Sequence, residues 1–168
     1  MAELTVRERL QPSLLDRLTD DEPQKSVESR DRRVMSLDKL RESVLRDLGW
    51  LLNTGKLSQL ADLAGYPEVE HSVLNYGTPD LSGRIVSLAH VGDLELAMRQ
   101  SILDFEPRIL SETVKVRAIV DESNMGTNAL TFEIEGTLWA QPTPLRLLLK
   151  TEVDLETGHA EVSEQTGG

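Results

Sequence analysis

The chain contains no cysteine and few aromatic residues. Among its 168 residues there are two Trp, two Tyr and two Phe, an aromatic fraction of 4%. Without cysteine there are no disulfides, thiolate nucleophiles or zinc–sulfur sites, and a reducing compartment is the easier expectation. The scarcity of aromatic rings leaves little to stack against bases or sugars. Single-stranded nucleic acid and carbohydrate are therefore disfavoured as ligands.

Basic charge is also in short supply. The sequence has 18 Lys and Arg against 29 Asp and Glu, a formal net charge of −11 at pH 7. An acidic protein repels phosphate backbones and anionic lipid headgroups, so the predicted partners are proteins rather than nucleic acid. No apolar run approaches membrane-spanning length, and the first residues lack the form of a signal peptide. These features predict a cytoplasmic protein without membrane insertion.

The most informative stretch is Glu106-Pro107-Arg108, between a predicted helix and a predicted β-meander. Proline has no N–H to donate, so Pro107 should end the helix at about Phe105 and fix the direction in which the chain leaves. Glu106 and Arg108 are then an acid and a base at a rigid corner suited to recognising a partner. The alternative is a local ion pair that decorates a turn. The preceding helix should pack against a core through residues spaced by three and four: Leu94, Ala97, Met98, Ser101, Ile102 and Phe105.

A short amphipathic helix is predicted near the N-terminus. Leu10, Leu14, Leu15 and Leu18 fall on one side of it. The charged stretch 19–33 follows and predicts an extended linker. An apolar helix on a charged tether is a candidate docking device, but it could equally fold back on the domain.

The rest of the chain changes from helical to strand periodicity. A helix is predicted from an N-cap at Ser36 to a left-handed cap at Asn53-Thr54-Gly55, and a shorter one from Leu57 to Ala64. Alternating segments at 113–120, 130–138 and 145–153 then predict three strands. The expected fold class is α+β, with helices packed on one face of a three-stranded antiparallel β-meander.

The third predicted strand carries Leu148, Lys150 and Glu152. Charged residues of this kind keep a sheet edge from pairing indiscriminately. With a polar tail after it, this edge should be reachable by a partner strand that adds through main-chain hydrogen bonds. The alternative is that the chain's own segment Ala160–Val162 covers it.

Length and composition fit one domain with a polar extension, since 39% of the residues are apolar and 28% charged. We divide the chain into three parts. Residues 1–34 form the N-terminal helix and charged linker, residues 35–162 a single α+β domain, and residues 163–168 a disordered tail.

No catalytic constellation is apparent in the sequence. Hydrolysis of the muramidase type needs two carboxyl groups, one of them a general acid held away from positive charge, yet Arg108 lies two residues from Glu106. The histidines are scattered, and neither a Gly-x-Ser-x-Gly elbow nor a phosphate loop occurs. No metal, cofactor or small-molecule substrate is therefore signalled. A muramidase-like hydrolase and a regulatory domain that binds one protein through its N-terminal helix are the alternative functions.

Four short segments accompany the predicted meander: Pro12-Ser13-Leu14-Leu15-Asp16-Arg17-Leu18, Arg46-Asp47-Leu48 through Leu51-Leu52-Asn53-Thr54, Ser72-Val73-Leu74-Asn75-Tyr76-Gly77, and Phe105-Glu106-Pro107-Arg108-Ile109. In this order the five segments, which span nearly the whole chain, resemble the TssE family. That family is the type VI secretion baseplate component related to the small "lysozyme-like" wedge protein of contractile phage baseplates. The resemblance implies a structural adaptor of a contractile injection machine and no enzymatic activity.

The resemblance also implies partners. The corner would dock on the helical core of the wedge, with TssF, TssG and TssK as the wedge proteins. The sheet is expected to resemble the strand-exchanging domain of the sheath subunits TssB and TssC, and its edge would nucleate the first sheath ring. Arg108→Ala should then impair wedge binding but leave the fold intact, because an exposed arginine contributes little to stability. The partner-binding residues so predicted are Glu106, Pro107, Arg108, Leu14, Leu15, Leu18, Leu148, Lys150 and Glu152.

Overall fold

The structure, a computed structural model, describes residues 13–19, 23–24, 36–82, 88–119, 129–140 and 144–165. Most of the predicted linker and Leu10 lie outside these ranges. The helices are α1 (Leu14–Leu18), α2 (Leu37–Leu52), α3 (Pro67–Glu70) and α4 (Leu88–Phe105), with short 3-10 turns at Leu57–Gln59, Val73–Asn75 and Ser111–Thr113. The strands are β1 (Lys115–Ile119), β2 (Ala129–Leu138), β3 (Leu145–Asp154) and β4 (Ala160–Glu164).

Helix α2 begins and ends where the sequence predicts, but its C-terminal cap differs. The hydroxyl of Ser36 accepts a hydrogen bond from the Lys39 N–H at 3.2 Å, which caps the first turn. Asn53 follows the last turn with φ −98° and ψ 10°, so the predicted left-handed cap is wrong. Its side chain donates instead to the Gly49 carbonyl at 2.7 Å, and Thr54 Oγ1 donates to the Trp50 carbonyl at 2.7 Å. The side chains of Asn53 and Thr54 thus bind carbonyls of the last helical turn, which in a glycine cap would accept from backbone N–H groups.

The shorter helix predicted from Leu57 to Ala64 is reduced to the 3-10 turn Leu57–Gln59. Two side chains bind its backbone N–H groups. The Asn75 Oδ1 atom accepts from the Ser58 N–H at 2.9 Å, and the Asp62 Oδ1 atom accepts from the Ala64 N–H at 2.9 Å. The local bond of Asp62 offers the chain an alternative to helix at its C-terminal end, whereas the Ser58 N–H lies in the first turn and would have no acceptor within the helix.

Within the described residues the sheet has four antiparallel strands in the order β1-β2-β3-β4, not three. Segment Ala160–Glu164 pairs with β3, from Val153 opposite Ala160 to Leu149 opposite Glu164. The expected open edge on β3 is therefore wrong, and the alternative, in which the chain covers this strand itself, is confirmed. Strand β4 also extends two residues beyond the domain end predicted at residue 162.

The core lies between one face of this sheet and helices α2 and α4, which confirms the α+β class. Alternate residues of β2 and β3 point inward, and Phe132 and Leu147 are fully buried there. Helix α4 ends at Phe105, as predicted, and buries Met98 and Ile102 against the sheet. Burial of each such large apolar side chain contributes roughly 1.5–3 kcal/mol. Helix α1 has no buried residue and lies outside this core.

Gly77 connects the turn Val73–Asn75 to the end of α2. The N–H of Thr78 donates to the Thr54 carbonyl at 2.8 Å, and the N–H of Lys56 donates to the Thr78 carbonyl at 3.2 Å. This close approach gives Gly77 a φ of +130°. A Cβ atom at Gly77 would lie 2.2 Å from the Thr54 carbonyl oxygen, so a side chain is excluded.

We predict that Gly77→Ala destabilises the protein by roughly 2–4 kcal/mol, because backbone strain adds to the clash with Thr54. Gly92→Ala is the matched control. It lies in α4, where an added Cβ meets nothing within 4 Å, so it should be neutral or stabilising by up to about 1 kcal/mol. Urea unfolding followed by circular dichroism measures both variants. Equal stability of the two would contradict the prediction.

Candidate functional site

The Glu-Pro-Arg corner buries its acid. The Glu106 N–H donates to the Ile102 carbonyl at 2.9 Å at the end of α4, and the Ile109 N–H donates back to the Glu106 carbonyl at 3.2 Å. This tight turn leaves Pro107 exposed and directs the Glu106 side chain inward, where the residue is only 3% exposed. A carboxylate so buried needs a partner of opposite charge.

Arg108 is that partner. Its Nε atom donates to Glu106 Oε1 at 2.6 Å and its Nη2 atom to Oε2 at 2.5 Å, a two-pronged pairing of guanidinium with carboxylate. The backbone N–H of Arg108 also donates to Glu106 Oε1 at 3.1 Å. The Arg108 side chain is only 25% exposed, so the prediction of an exposed arginine is wrong.

The same guanidinium reaches helix α2. Arg108 Nη2 lies 2.6 Å from Asp47 Oδ2, and Nη1 donates to Ser43 Oγ at 3.2 Å. Burial by itself would lower the pKa of Arg108, but the hydrogen bonds and charges of Glu106 and Asp47 raise it above its ordinary value. Arg108 therefore stays charged and ties the corner to α2.

Asp47 passes this connection on to α1. Its Oδ1 atom lies 2.9 Å from Arg46 Nε, and Arg46 Nη1 lies 2.6 Å from Asp16 Oδ1. Burial would raise the pKa of Asp16, but its hydrogen bonds to Arg46 and to Ser13 hold that pKa below the ordinary value. Five groups of alternating charge form this ion-pair network: Asp16, Arg46, Asp47, Arg108 and Glu106.

An apolar groove of about 300 Å³ lies beside the network. Leu15 of α1 borders it, together with Trp50 of α2 and the rings of Tyr76 and Phe105. These two rings pack edge to face with centroids 5.2 Å apart. Burial raises the pKa of Tyr76, and the negative charges of Asp47 and Glu106 act in the same direction. The groove therefore combines apolar walls with a charged floor.

The outer side of the same region is apolar and exposed. Leu14 and Leu18 are 71% and 75% exposed, and Trp50 is half-exposed with its ring 5.0 Å from the Arg46 guanidinium carbon. Trp139 adjoins the corner, because its backbone N–H donates to the Arg108 carbonyl at 2.8 Å. We name one set of these residues the corner surface: Leu14, Leu15, Leu18, Trp50, Pro107 and Arg108.

The structure joins two sets of predicted site residues that the sequence left apart. The N-terminal helix with Leu14, Leu15 and Leu18 lies beside the corner, held there by the ion pair of Asp16 with Arg46. The predicted sheet residues do not share that arrangement. Leu148, Lys150 and Glu152 belong to the internal strand β3, where Lys150 lies between Glu133 and Ser163 in the register.

Sequence reasoning missed the residues of α2 that complete the network. Ser43, Arg46 and Asp47 were not predicted as site residues, although Arg46 and Asp47 belong to a segment that carries the resemblance. One signal was available, because the charged pair lies between Val44 and Leu48 of the apolar stripe. Polar residues beside a buried stripe often have a buried partner.

At both outer edges of the sheet, side chains bind backbone groups that face away from the neighbouring strand. On β1, the Ala118 N–H donates to Glu95 Oε1 at 2.6 Å, and Arg99 Nε donates to the Val114 carbonyl at 3.0 Å. Side chains of α4 thus occupy backbone groups of that edge. On β4, the Asn53 side chain accepts from the Ala160 N–H at 2.9 Å and donates to the Ala160 carbonyl at 2.8 Å. In β4, the backbone N–H and carbonyl groups of every second residue face away from β3.

The network is built for support rather than for reaction. Both carboxylate oxygens of Glu106 accept hydrogen bonds from Arg108, an unsuitable setting for a proton donor. Within the ranges that the structure covers, no group of three or more His, Cys, Asp or Glu side chains could hold a metal ion. Over the same ranges, none of the helices has the length and apolar character needed to cross a membrane.

Fold and site together define a small α+β protein whose Glu-Pro-Arg corner is fixed by ion pairs beside an apolar groove. A family model described as baseplate wedge protein gp25 matches residues 38–143, well over half of the chain. The chain therefore belongs to the baseplate wedge protein gp25 family, of which TssE is the type VI homologue. Its role is that of a structural baseplate component. A comparison with curated proteins finds no match.

The matched range covers part of the molecule. It includes nearly all of α2, the whole corner, β1 and β2. Helix α1, β3 and β4 lie outside it. The match therefore includes four of the five members of the ion-pair network, all but Asp16.

We predict that Arg108→Ala destabilises the fold by roughly 2–4 kcal/mol, because it leaves the buried Glu106 carboxylate without its partner. Arg146→Ala is the matched control. The Arg146 side chain is largely exposed and pairs with Glu135 at 2.7 Å, so its loss should cost less than about 1 kcal/mol. Urea unfolding measures both. Equal losses in the two variants would show that the network does not stabilise the corner.

Proposed function

We propose that the protein is a type VI secretion baseplate component of the TssE kind, which acts in the cytoplasm. It would join the wedge proteins TssF, TssG and TssK to the sheath proteins TssB and TssC. The observation that carries this proposal is the corner surface, where α1 and the Glu-Pro-Arg turn are held side by side by a single ion-pair network. A family role in the baseplate and a pre-organised apolar surface point to the same kind of function.

The corner surface suits docking on a helical partner. Leu14, Leu18 and Trp50 offer apolar area that the chain does not bury itself, and Arg108 keeps a quarter of its side chain accessible. Trp and Arg are the residues most often found at the centre of protein interfaces. Because the network already fixes their positions, little ordering is required on binding. In this proposal Glu106 positions the surface and does not contact the partner itself.

We predict that the double variant Leu14→Asp, Leu18→Asp loses affinity for a purified TssF–TssG subcomplex by at least about tenfold, because it places charge in the proposed interface. The fold should be unaffected, since both leucines are exposed. Leu96→Asp, another exposed leucine on α4, is the matched control and should bind as wild type does. Biolayer interferometry measures the affinity. Wild-type affinity in the double variant would refute wedge docking through α1.

For the sheath side, we infer an attachment point on the outer edge of β4 beyond Ala160. β3 is internal. Side chains of α4 bind outer backbone groups at β1, and on β4 Asn53 binds those of Ala160. Because the Ala160 N–H and carbonyl face outward to Asn53, alternation places those of Val162 and Glu164 on the same outer edge. A strand of a sheath protein could add there through main-chain hydrogen bonds.

We predict that Glu164→Pro blocks sheath attachment, whereas Glu164→Ala does not. Both variants lose the ion pair between Glu164 and Arg41, which lie 3.2 Å apart. Only proline removes the outward N–H, and edge strands tolerate proline when that N–H faces away from the sheet. Sheath polymerisation from assembled baseplates, followed by electron microscopy, distinguishes the variants. Normal sheath growth with the proline variant would exclude this edge.

A further inference from the structure

The segment Ser72–Gly77 contains two exposed apolar residues, Val73 and Leu74, whose exposure is not explained by the packing of the segment. Asn75 is buried, Tyr76 packs on Phe105, and Gly77 fits against Thr54. Val73 and Leu74, in the same 3-10 turn, are 80% and 67% exposed. An isolated exposed leucine is ordinary, but two adjacent apolar side chains on a fixed turn provide a defined surface.

Hydrogen bonds fix this turn. The Asn75 side chain accepts from the Ser58 N–H at 2.9 Å and donates to the Glu70 carbonyl at 2.8 Å. Ser72 Oγ accepts from the Leu74 N–H at 3.3 Å. The buried Asn75 amide thus links its own 3-10 turn, Val73–Asn75, to the turn Leu57–Gln59 and to α3. Val73 and Leu74 are therefore presented on a rigid support.

The charged residues in the stretch of chain that leads to this turn have one sign. Within residues 57–75 there are three carboxylates, Asp62, Glu68 and Glu70, all exposed, and there is no Lys or Arg. His71, the one histidine of the segment, faces Asp104 at 3.1 Å. Lys56, just before the segment, is half-buried. We name residues 57–75 the acidic lobe.

We propose that the acidic lobe is a second docking surface, which binds a basic and apolar segment of another baseplate protein. Val73 and Leu74 would be the apolar anchors, and Glu68 and Glu70 would pair with Lys or Arg of the partner. Charge complementarity carries this choice of occupant. The same carboxylates repel anionic membranes and nucleic acid. The inference rests on the proposed baseplate function but uses residues separate from the corner surface.

A second surface has a physical use in a ring-shaped assembly. Two contacts made by one subunit raise each other's effective concentration, so neither needs to be strong alone. The acidic lobe is tied to α4 through His71 and Asp104, and Asp104 lies two residues before Glu106. A partner bound at the lobe would therefore be held near one that engages the corner surface.

A photo-reactive benzoylphenylalanine placed at Leu74 tests the occupant directly. The labelled protein is assembled into purified baseplates and irradiated, and the crosslinked peptide is sequenced by mass spectrometry. We expect a peptide of another baseplate protein that is rich in Lys or Arg and in apolar residues. No crosslink, a crosslink only to this chain, or a crosslink to an acidic peptide would overturn the proposal.

Affinity measurements with a baseplate subcomplex purified without this chain provide the second test. Leu74→Glu and the double variant Glu68→Lys, Glu70→Lys should each weaken binding about tenfold. Leu96→Glu, equally exposed on α4, should bind as wild type does. If Leu74→Glu binds like Leu96→Glu while the Leu14, Leu18 variant is impaired, the lobe proposal fails and the baseplate function stands. If the wild type does not bind, both fail.

Discussion

The guanidinium of Arg108 is the interaction on which the rest of the site depends. It binds the carboxylates of Glu106 and Asp47 at once, so the end of α4, the start of the sheet segment and α2 share one charged centre. Glu106 could not stay buried without it. Because Asp47 also binds Arg46, and Arg46 binds Asp16, the same centre fixes the N-terminal helix. Buried ion pairs often add little net stability, but here they fix α1, α2 and the corner relative to one another.

In this arrangement the residues that fix the geometry differ from the residues that are exposed. The charged groups are turned toward each other, whereas Leu14, Leu18 and Trp50 face outward. A structural component of a baseplate has to hold partners at fixed angles, which a surface on a mobile helix cannot do. Helix α1 is too short to be stable alone, so its orientation has to come from the domain. A regulatory helix that works independently of the domain fits this geometry poorly.

The sequence predicted the long elements well and the short ones poorly. Helices α2 and α4 and strands β1 to β3 follow from sustained apolar periodicity, because their buried faces are continuous. β4 has five residues, of which only Ala160 is buried, so its pattern is weak. Its pairing depends on β3 and on Asn53, which is 107 positions away in the chain. Local pattern cannot contain such information.

The same limit explains the site. Proline chemistry was enough to place Glu106 and Arg108 at a corner, but their burial depends on Asp47, 61 positions before Arg108. A buried carboxylate in an acidic protein can be read as a catalytic acid. What decides against that reading is the second arm of the arginine fork, because one guanidinium engages both carboxylate oxygens of Glu106. Burial makes Glu106 look like an active-site acid, but its pairing with Arg108 fits a structural residue.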